Sequence, residues 1–308
     1  MRNKKISSRQ NSMASIEIPE RVRKVIYLGT PEVAVAPLRE MHQAGIEVTL
    51  VITGEDKRRG RGKEKSPTPV KEEAQRLGIP VSHKLQDIYS STADIGVVVA
   101  YGKLIPQEIL SHLPMVNIHF SLLPQWRGAA PLERAILSGD KRTGVCIMQV
   151  EKELDAGGIF RMQEVLISEE ESLQSLREKL SIQGNILLMD CLMNGFGTPR
   201  AQEGEPTYAR KIHIDDLQVD WEESAEQVLR VIRLGNAWTT IKGNRLGIQE
   251  AKSATSSDLN AGEIKGTMVG TGQGAIELIS VKPSGRKEMD ANSWANGLRL
   301  NNQDCLGE

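Results

Sequence analysis

The chain reads as an α/β protein: a doubly wound, mostly parallel sheet, followed by a small β-barrel-like C-terminal domain. Two observations predict this. Nearly continuous apolar runs alternate with helical patterns over residues 21–193, and after a Gly- and Pro-containing stretch the texture changes to short strand-like pieces broken by Gly and Asn.

Taken in order, Val25–Leu28, Val48–Ile52, Val97–Ala100, Val116–Ile118 and Val145–Met148 are the apolar runs. Such runs suit parallel strands covered on both faces. Between them, Glu32–Gln43, Pro69–Leu77 and Ala130–Leu137 carry helical patterns that end near Gly45, Gly78 and Gly139. Glycine just past a helix takes the left-handed conformation that stops it. Strand–helix alternation implies right-handed crossovers. Leu173–Met193 is a longer helix, with Leu173, Leu176, Leu180, Leu187 and Cys191 as its apolar positions, and 194–210 reads as a linker. In 211–308, Ala225, Val228, Leu229 and Ile232 fall on one helical stripe. Thr239–Lys242, Leu246–Glu250, Gly266–Val269 and Ala275–Ser280 are strand-like.

Composition narrows the function classes. The formal net charge of the 308 residues is −1, so a polyanion would have to meet a local basic patch. Cys146, Cys191 and Cys305 are scattered and lack zinc-ligand spacing, which points to a reducing compartment and no structural metal. No apolar stretch approaches the ~20 residues that span a bilayer, so no membrane role is expected. Residues 1–20 are basic and contain Ser, with no signal-peptide core and with Met13 as an alternative start. They read as a disordered extension rather than a transit peptide.

The chemistry concentrates at Val116-Asn117-Ile118-His119-Phe120-Ser121-Leu122-Leu123-Pro124, followed by Trp126-Arg127-Gly128. Side chains alternate along a strand, so Asn117 and His119 leave one face at its carboxyl end, where open parallel sheets place their clefts. An amide donor beside an imidazole suits acyl transfer: the amide meets a carbonyl oxygen that gains charge, and the imidazole moves protons. A carboxylate completes the set. Asp155, in Glu153-Leu154-Asp155-Ala156-Gly157-Gly158 just beyond an apolar run, is the candidate, because glycines there permit a tight loop.

Together, Asn117-Ile118-His119, Ser121-Leu122-Leu123-Pro124, Arg127-Gly128 and Leu154-Asp155-Ala156-Gly157 resemble the folate-dependent formyltransferase family, whose catalytic domain is Rossmann-like. Further segments resemble members that act on initiator tRNA. These are Gly29-Thr30-Pro31, Gly60-Arg61-Gly62-Lys63, Pro67-Thr68-Pro69-Val70-Lys71, Val98-Val99-Ala100-Tyr101-Gly102, Thr207-Tyr208-Ala209-Arg210-Lys211, Asp220-Trp221 and Pro283-Ser284-Gly285-Arg286-Lys287. The resemblance covers nearly everything from Val22 onward. It implies 10-formyltetrahydrofolate as co-substrate, methionyl initiator tRNA as acceptor, no metal and a monomer. It also implies a cytoplasmic bacterial enzyme, with an organelle as second expectation.

Carried onto matching positions, Asn117, His119 and Asp155 become the catalytic trio. Asn117 donates to the formyl oxygen. His119 stabilises the charged intermediate and shuttles a proton. Asp155 orients His119 and helps deprotonate the amine. Ser121, Leu122, Leu123 and Pro124 match the folate-binding loop, and Gly102, Lys103, Leu104 and Ile105 match the segment bordering the pterin. The basic loop Asp56–Lys65 sits after a strand, and a glycine-rich basic loop can mould to phosphate. Within it Arg58, Arg59, Arg61 and Lys63 are the tRNA candidates, and Arg61 matches the family's loop arginine. Lys242, Arg245, Lys282, Arg286, Lys287 and Arg299 are candidates to track tRNA backbone from the second domain.

Three positions depart from the family pattern: Phe120 replaces a small residue, Lys103 an apolar one, and Asn236-Ala237-Trp238 stands where Asn-Pro-Trp is usual. Phe120 should point away from the Asn117 and His119 face. A nicotinamide dehydrogenase is disfavoured because Leu28-Gly29-Thr30-Pro31 is not Gly-x-Gly-x-x-Gly. A folate-dependent hydrolase would need no tRNA loop, and a non-catalytic RNA-binding protein would not need the polar trio. The main alternative keeps the chemistry and changes the acceptor to a nucleotide-linked amino sugar.

Overall fold

Burial on both faces organises the first half of the chain. In the computed structural model, which describes residues 18–58, 65–255, 258–299 and 304–308, Val25, Ile26, Tyr27 and Leu28 are wholly inaccessible to solvent. The expected extension 1–20 lies almost entirely outside the described residues.

The elements follow the chain as β1 (Lys24–Gly29), α1 (Val35–Gln43), β2 (Glu47–Ile52), the short antiparallel pair β3 (Lys57–Arg58) and β4 (Lys65–Ser66), α2 (Pro69–Arg76), β5 (Val81–Ser82), β6 (Ile95–Val99), α3 (Gln107–Leu110) and β7 (Met115–His119). A 3-10 turn over Glu32–Ala34 leads into α1. β7, β6, β1, β2 and β5 lie in that order and every pairing among them is parallel. Successive strands move to one side of β1 and then to the other, so the order reverses between β1 and β6. Open α/β sheets bind ligands outside the strand ends at such a point. The predicted doubly wound parallel sheet is therefore what forms. Gly45, Gly78 and Gly139 all adopt positive φ at their helix ends, as expected.

The chain divides into two compact units, and the division falls inside β7. The first ends at Asn117 and takes in Gln149–Glu153 and Met189–Pro199; the second holds Ile118–Met148, Leu154–Leu188 and Arg200–Glu308. The second unit contains β8 (Arg127–Gly128), α4 (Pro131–Ser138), β9 (Arg142–Gln149, to Met148), β10 (Ile159–Leu166), most of α5 (Leu173–Asn194) and β11 (Tyr208–Ala209). β9 pairs antiparallel with β10, a strand the apolar-run pattern does not reveal because its outer half is exposed and carries Gln163 and Glu164. Gly184 in α5 is needed for close packing: a Cβ there would stand 2.8 Å from Ile118 Cγ2 and 3.0 Å from Val145 Cγ2.

The rest of the second unit is α6 (Ala225–Ile232), β12 (Ala237–Ile241), β13 (Asn244–Ala254), β14 (Ile264–Lys265), β15 (Met268–Gly270), β16 (Ala275–Pro283), β17 (Met289–Asp290) and α7 (Ala291–Leu298). These strands form an antiparallel sheet in the order β12-β13-β16-β15-β14, with β17 on β16. Register shifts around Glu250 curl the long strand β13. Trp221, Val228, Ile232, Ile248, Ile276, Val281 and Trp294 fill its core. The predicted small β domain is present, with α7 as an addition. Its sequence is poor in strong helix formers, but the Asp290 carboxylate caps it by accepting from Ser293 N at 2.8 Å. Among the described residues, no helix is long and apolar enough to cross a membrane.

One ion cluster joins α1 to α2. Glu73, whose side chain is 7% exposed, accepts from Arg76 Nη2 and from Arg39 Nε, both at 2.7 Å. Hydrogen bonds from Arg76 and then Arg39 hold its carboxyl at about 2. A carboxyl whose folded pKa is depressed stabilises fully above its unfolded value and loses that contribution as pH falls toward the folded one. Glu73→Gln is therefore expected to cost about 1–3 kcal/mol at neutral pH. Denaturant unfolding across pH should show the two proteins converging as pH falls toward about 2; an equal gap at both ends would rule out the ion pairs as the cause.

Candidate active site

The site is built where β7 ends. His119 is its last residue and is 5% exposed, while Asn117, two residues earlier, is half-buried. Beyond the strand, Phe120 stays on the side of Ile118: its Cε1 lies 3.7 Å from the position a Gly184 Cβ would take, beside Ile118 Cγ2. The bulky residue at 120 is thus accommodated against α5, away from the polar face.

The imidazole sits between two acceptors. Nε2 lies 3.0 Å from the Trp126 carbonyl, and Nδ1 lies 3.6 Å from Asp155 Oδ2. A carbonyl only accepts, so Nε2 carries the hydrogen and, in the neutral ring, the Nδ1 lone pair faces the carboxylate. Burial depresses the His119 pKa, and the Asp155 charge and the Trp126 carbonyl work against that. The ring is therefore neutral near pH 7. A proton arriving at Nδ1 finds its acceptor already in place. A group so placed can take up a proton and carry a transient positive charge.

Asp155 is fixed at both ends. Its Oδ2 accepts from Gly128 N at 2.8 Å, and its own backbone takes a left-handed φ of +50. Gly128 is required where it stands, with φ +120 and with the Ala209 carbonyl oxygen 2.8 Å from where a Cβ would be. The Trp126–Ala129 loop is held by the segment that contains β11. Trp126 N donates to Thr207 Oγ1 at 2.8 Å, Arg127 N to Thr207 O at 2.8 Å and Ala129 N to Ala209 O at 2.9 Å. Trp126 also has positive φ, and its indole N–H donates to Asp140 Oδ2 at 2.7 Å.

The predicted folate loop is internally braced. Ser121 is buried, its hydroxyl donating to Gln125 O at 2.5 Å and its carbonyl accepting from Cys146 Sγ at 3.0 Å. Leu123 belongs to a small core with Cys146, Met148 and Ile159. The Leu123–Pro124 peptide bond is cis, and Leu122 is half-buried. Ser121 and Leu123 therefore present backbone rather than side chain. Burial also raises the Cys146 thiol to about 12, which leaves it inert.

In the first unit, Gly102, Lys103, Leu104 and Ile105 follow β6 through two left-handed residues, Ala100 and Gly102. Leu104 is 78% exposed and Lys103 Nζ lies 5.9 Å from the Tyr101 ring centroid. Among the described residues, the buried Tyr101 hydroxyl has no hydrogen-bond partner. Arg59, Arg61 and Lys63 lie outside the described residues, as does the side chain of Arg58, whose backbone belongs to β3. Among the described residues, no group of three or more His, Cys, Asp or Glu is placed to hold a metal ion.

Sequence reasoning missed the Trp126 carbonyl, the Gly128 N–H, Thr207 and Gln202. The first two are backbone groups that no residue pattern advertises. Thr207 belonged to a recognised motif, and Gln202 fell in the presumed linker.

Comparison with known proteins agrees with the geometry. Residues 23–192 match the family described as formyl transferase, and residues 211–299 match the formyl transferase C-terminal domain. The methionyl-tRNA formyltransferase of Clavibacter sepedonicus is 38% identical over 296 residues, covering 89% of this chain and 97% of that protein. The one from Jannaschia sp. strain CCS1 is 38% identical over 293 residues, covering 90% and 97%. Among solved structures, the N-formyltransferase from Helicobacter canadensis, complexed with folinic acid and dTDP-3-aminofucose, superposes with a TM-score of 0.66 at 16% identity, covering 83% of this chain and 99% of that one. At that identity the likeness is one of fold. With both domains matched in order, and close relatives aligned over nearly their whole length, the chain belongs to the formyl transferase family.

Proposed function

We propose that this protein transfers the formyl group of 10-formyltetrahydrofolate to the α-amino group of methionyl initiator tRNA. One observation carries the chemical part: a buried imidazole with a carboxylate at 3.6 Å, two residues along a strand from an amide side chain. The tRNA acceptor is supported by the named relatives at 38% identity, which extend over 97% of their own length.

In this reading the amine nitrogen attacks the formyl carbon, and a C–N bond forms as the carbonyl electrons move to oxygen. Asn117 donates to that oxygen. His119, neutral at rest, takes the proton the amine sheds; the resulting imidazolium is held by Trp126 O and Asp155. As the bond from the formyl carbon to the donor nitrogen breaks, the imidazolium returns its proton to that nitrogen. Backbone of Ser121–Pro124 would hold the folate; Gly102, Lys103, Leu104 and Ile105 are a separate folate-binding assignment, with no metal involved. Arg58, Arg59, Arg61 and Lys63 would meet the acceptor end of the tRNA. We assign 21–193 to the catalytic domain, 194–210 to the linker and 211–308 to a tRNA-binding domain. In the last, Arg245 stacks 4.4 Å over the Trp238 ring and Lys282 lies opposite Gly247 in the neighbouring strand, so basic groups gather at one end of the curled sheet. The working form would be a monomer in the bacterial cytoplasm.

Formyl transfer to charged initiator tRNA, with an amino-sugar nucleotide as control acceptor, tests the proposal; transfer to the sugar and not the tRNA would reverse the acceptor assignment. His119→Ala is expected to lower kcat by about 10²–10⁴, and Asn117→Ala by about 10²–10³. The acid limb of the wild-type pH profile should fall below the ordinary imidazole range, since burial depresses His119. A limb at or above that range would contradict a neutral resting imidazole. Arg61→Ala should weaken tRNA use while sparing folate, and reduce the salt slope of tRNA binding by about 1. Equal loss of both substrates would remove Arg61 from the interface.

A further inference from the structure

Gln202 lies in the stretch after α5 that composition marks as a spacer, yet its amide uses its full hydrogen-bonding capacity. Nε2 donates at 2.8 Å to the Asp155 carbonyl and at 2.8 Å to the Gly157 carbonyl. Oε1 accepts from Arg127 Nε at 3.1 Å and from Arg127 Nη2 at 2.8 Å. A primary amide offers two donors and two acceptor lone pairs, so all four are engaged.

These contacts close a ring around the carboxylate. Arg127 precedes Gly128, whose N–H holds Asp155 Oδ2, and Gln202 ties Arg127 back to the Asp155 carbonyl. The Asp155 backbone sits in a left-handed conformation that is uncommon for a non-glycine residue, although aspartate tolerates it better than most, and its surroundings help to hold it. Gln202 is one of those surroundings, since it pins the carbonyls on either side of Ala156.

We infer that Gln202 is a positioning residue: it sets where the Asp155 carboxylate stands against His119, and so makes the segment after α5 part of the reactive site. This rests on the reading that Asp155 and His119 are the working pair. No other side chain in the ring can replace it. Arg127 has no acceptor atom, and Gly128 offers only backbone.

The test compares wild type, Gln202→Leu, Gln202→Glu and Asp155→Asn in formyl transfer across pH, with thermal unfolding of each. Gln202→Leu is expected to lower kcat on the order of 10²-fold, as small misplacements of reacting groups do, with KM for 10-formyltetrahydrofolate unchanged. Because Asp155 raises the pKa of His119, its release should move the His119 limb of the profile to lower pH. Gln202→Glu keeps a partner for Arg127 but lacks the two donors to the Asp155 and Gly157 carbonyls, so it should share the kcat loss. It also answers the question if Gln202→Leu does not fold. Wild-type kcat in Gln202→Glu, or a kcat loss in Gln202→Leu with no shift of the limb, would overturn the inference. Should Asp155→Asn keep full turnover, the catalytic reading itself falls, whatever Gln202 does.

Discussion

An imidazole removed from water loses the solvation that would favour its charged form, and much of this structure manages that loss for His119. Burial depresses its pKa, while Trp126 O and Asp155 Oδ2 stand on its two edges as acceptors. The neutral ring is satisfied on one side only. The cation would be satisfied on both, at 3.0 and 3.6 Å. Such a group changes charge without waiting for solvent to reorganise, which is why preorganised dipoles are worth more in a dry site than in water.

Holding those acceptors still falls to backbone in uncommon conformations. Trp126, Gly128 and Asp155 all have positive φ, and for the two non-glycine residues this costs of order 1–3 kcal/mol each. Hydrogen bonds from outside the loop offset the cost. Thr207 and Ala209 anchor the Trp126–Ala129 side, and Gln202 anchors the Asp155–Gly157 side. Both anchors come from the segment that follows α5, so a region read as a connection between domains serves as part of the scaffold. Gly-, Pro- and polar-rich composition reports the absence of regular structure, and ordered irregular backbone satisfied by side chains has the same composition.

Close packing explains the tolerated departure at Phe120. The absence of a side chain at Gly184 lets α5 approach the strand bearing Ile118, and the same side receives the aromatic ring. A large residue at 120 therefore changes the helix-facing layer and leaves the opposite, polar face intact.

Sequence by itself determined the sheet, the three helix-stopping glycines, the second domain and the place of Asn117 and His119 at the end of one strand. Burial on two faces demands long apolar runs, left-handed caps demand glycine, and strand alternation is a local rule. Asp155 was legible through its motif and not through any rule linking it to position 119. Tertiary structure alone decided that Asp155 faces the imidazole, that a tryptophan contributes its carbonyl rather than its ring, and that Gln202 closes the network. Each of these is a polar contact, ionic or hydrogen-bonded, between groups far apart in the chain or carried by backbone. Such contacts depend on how closely the loops approach, and that distance is set by the packing of whole elements rather than by local residue patterns.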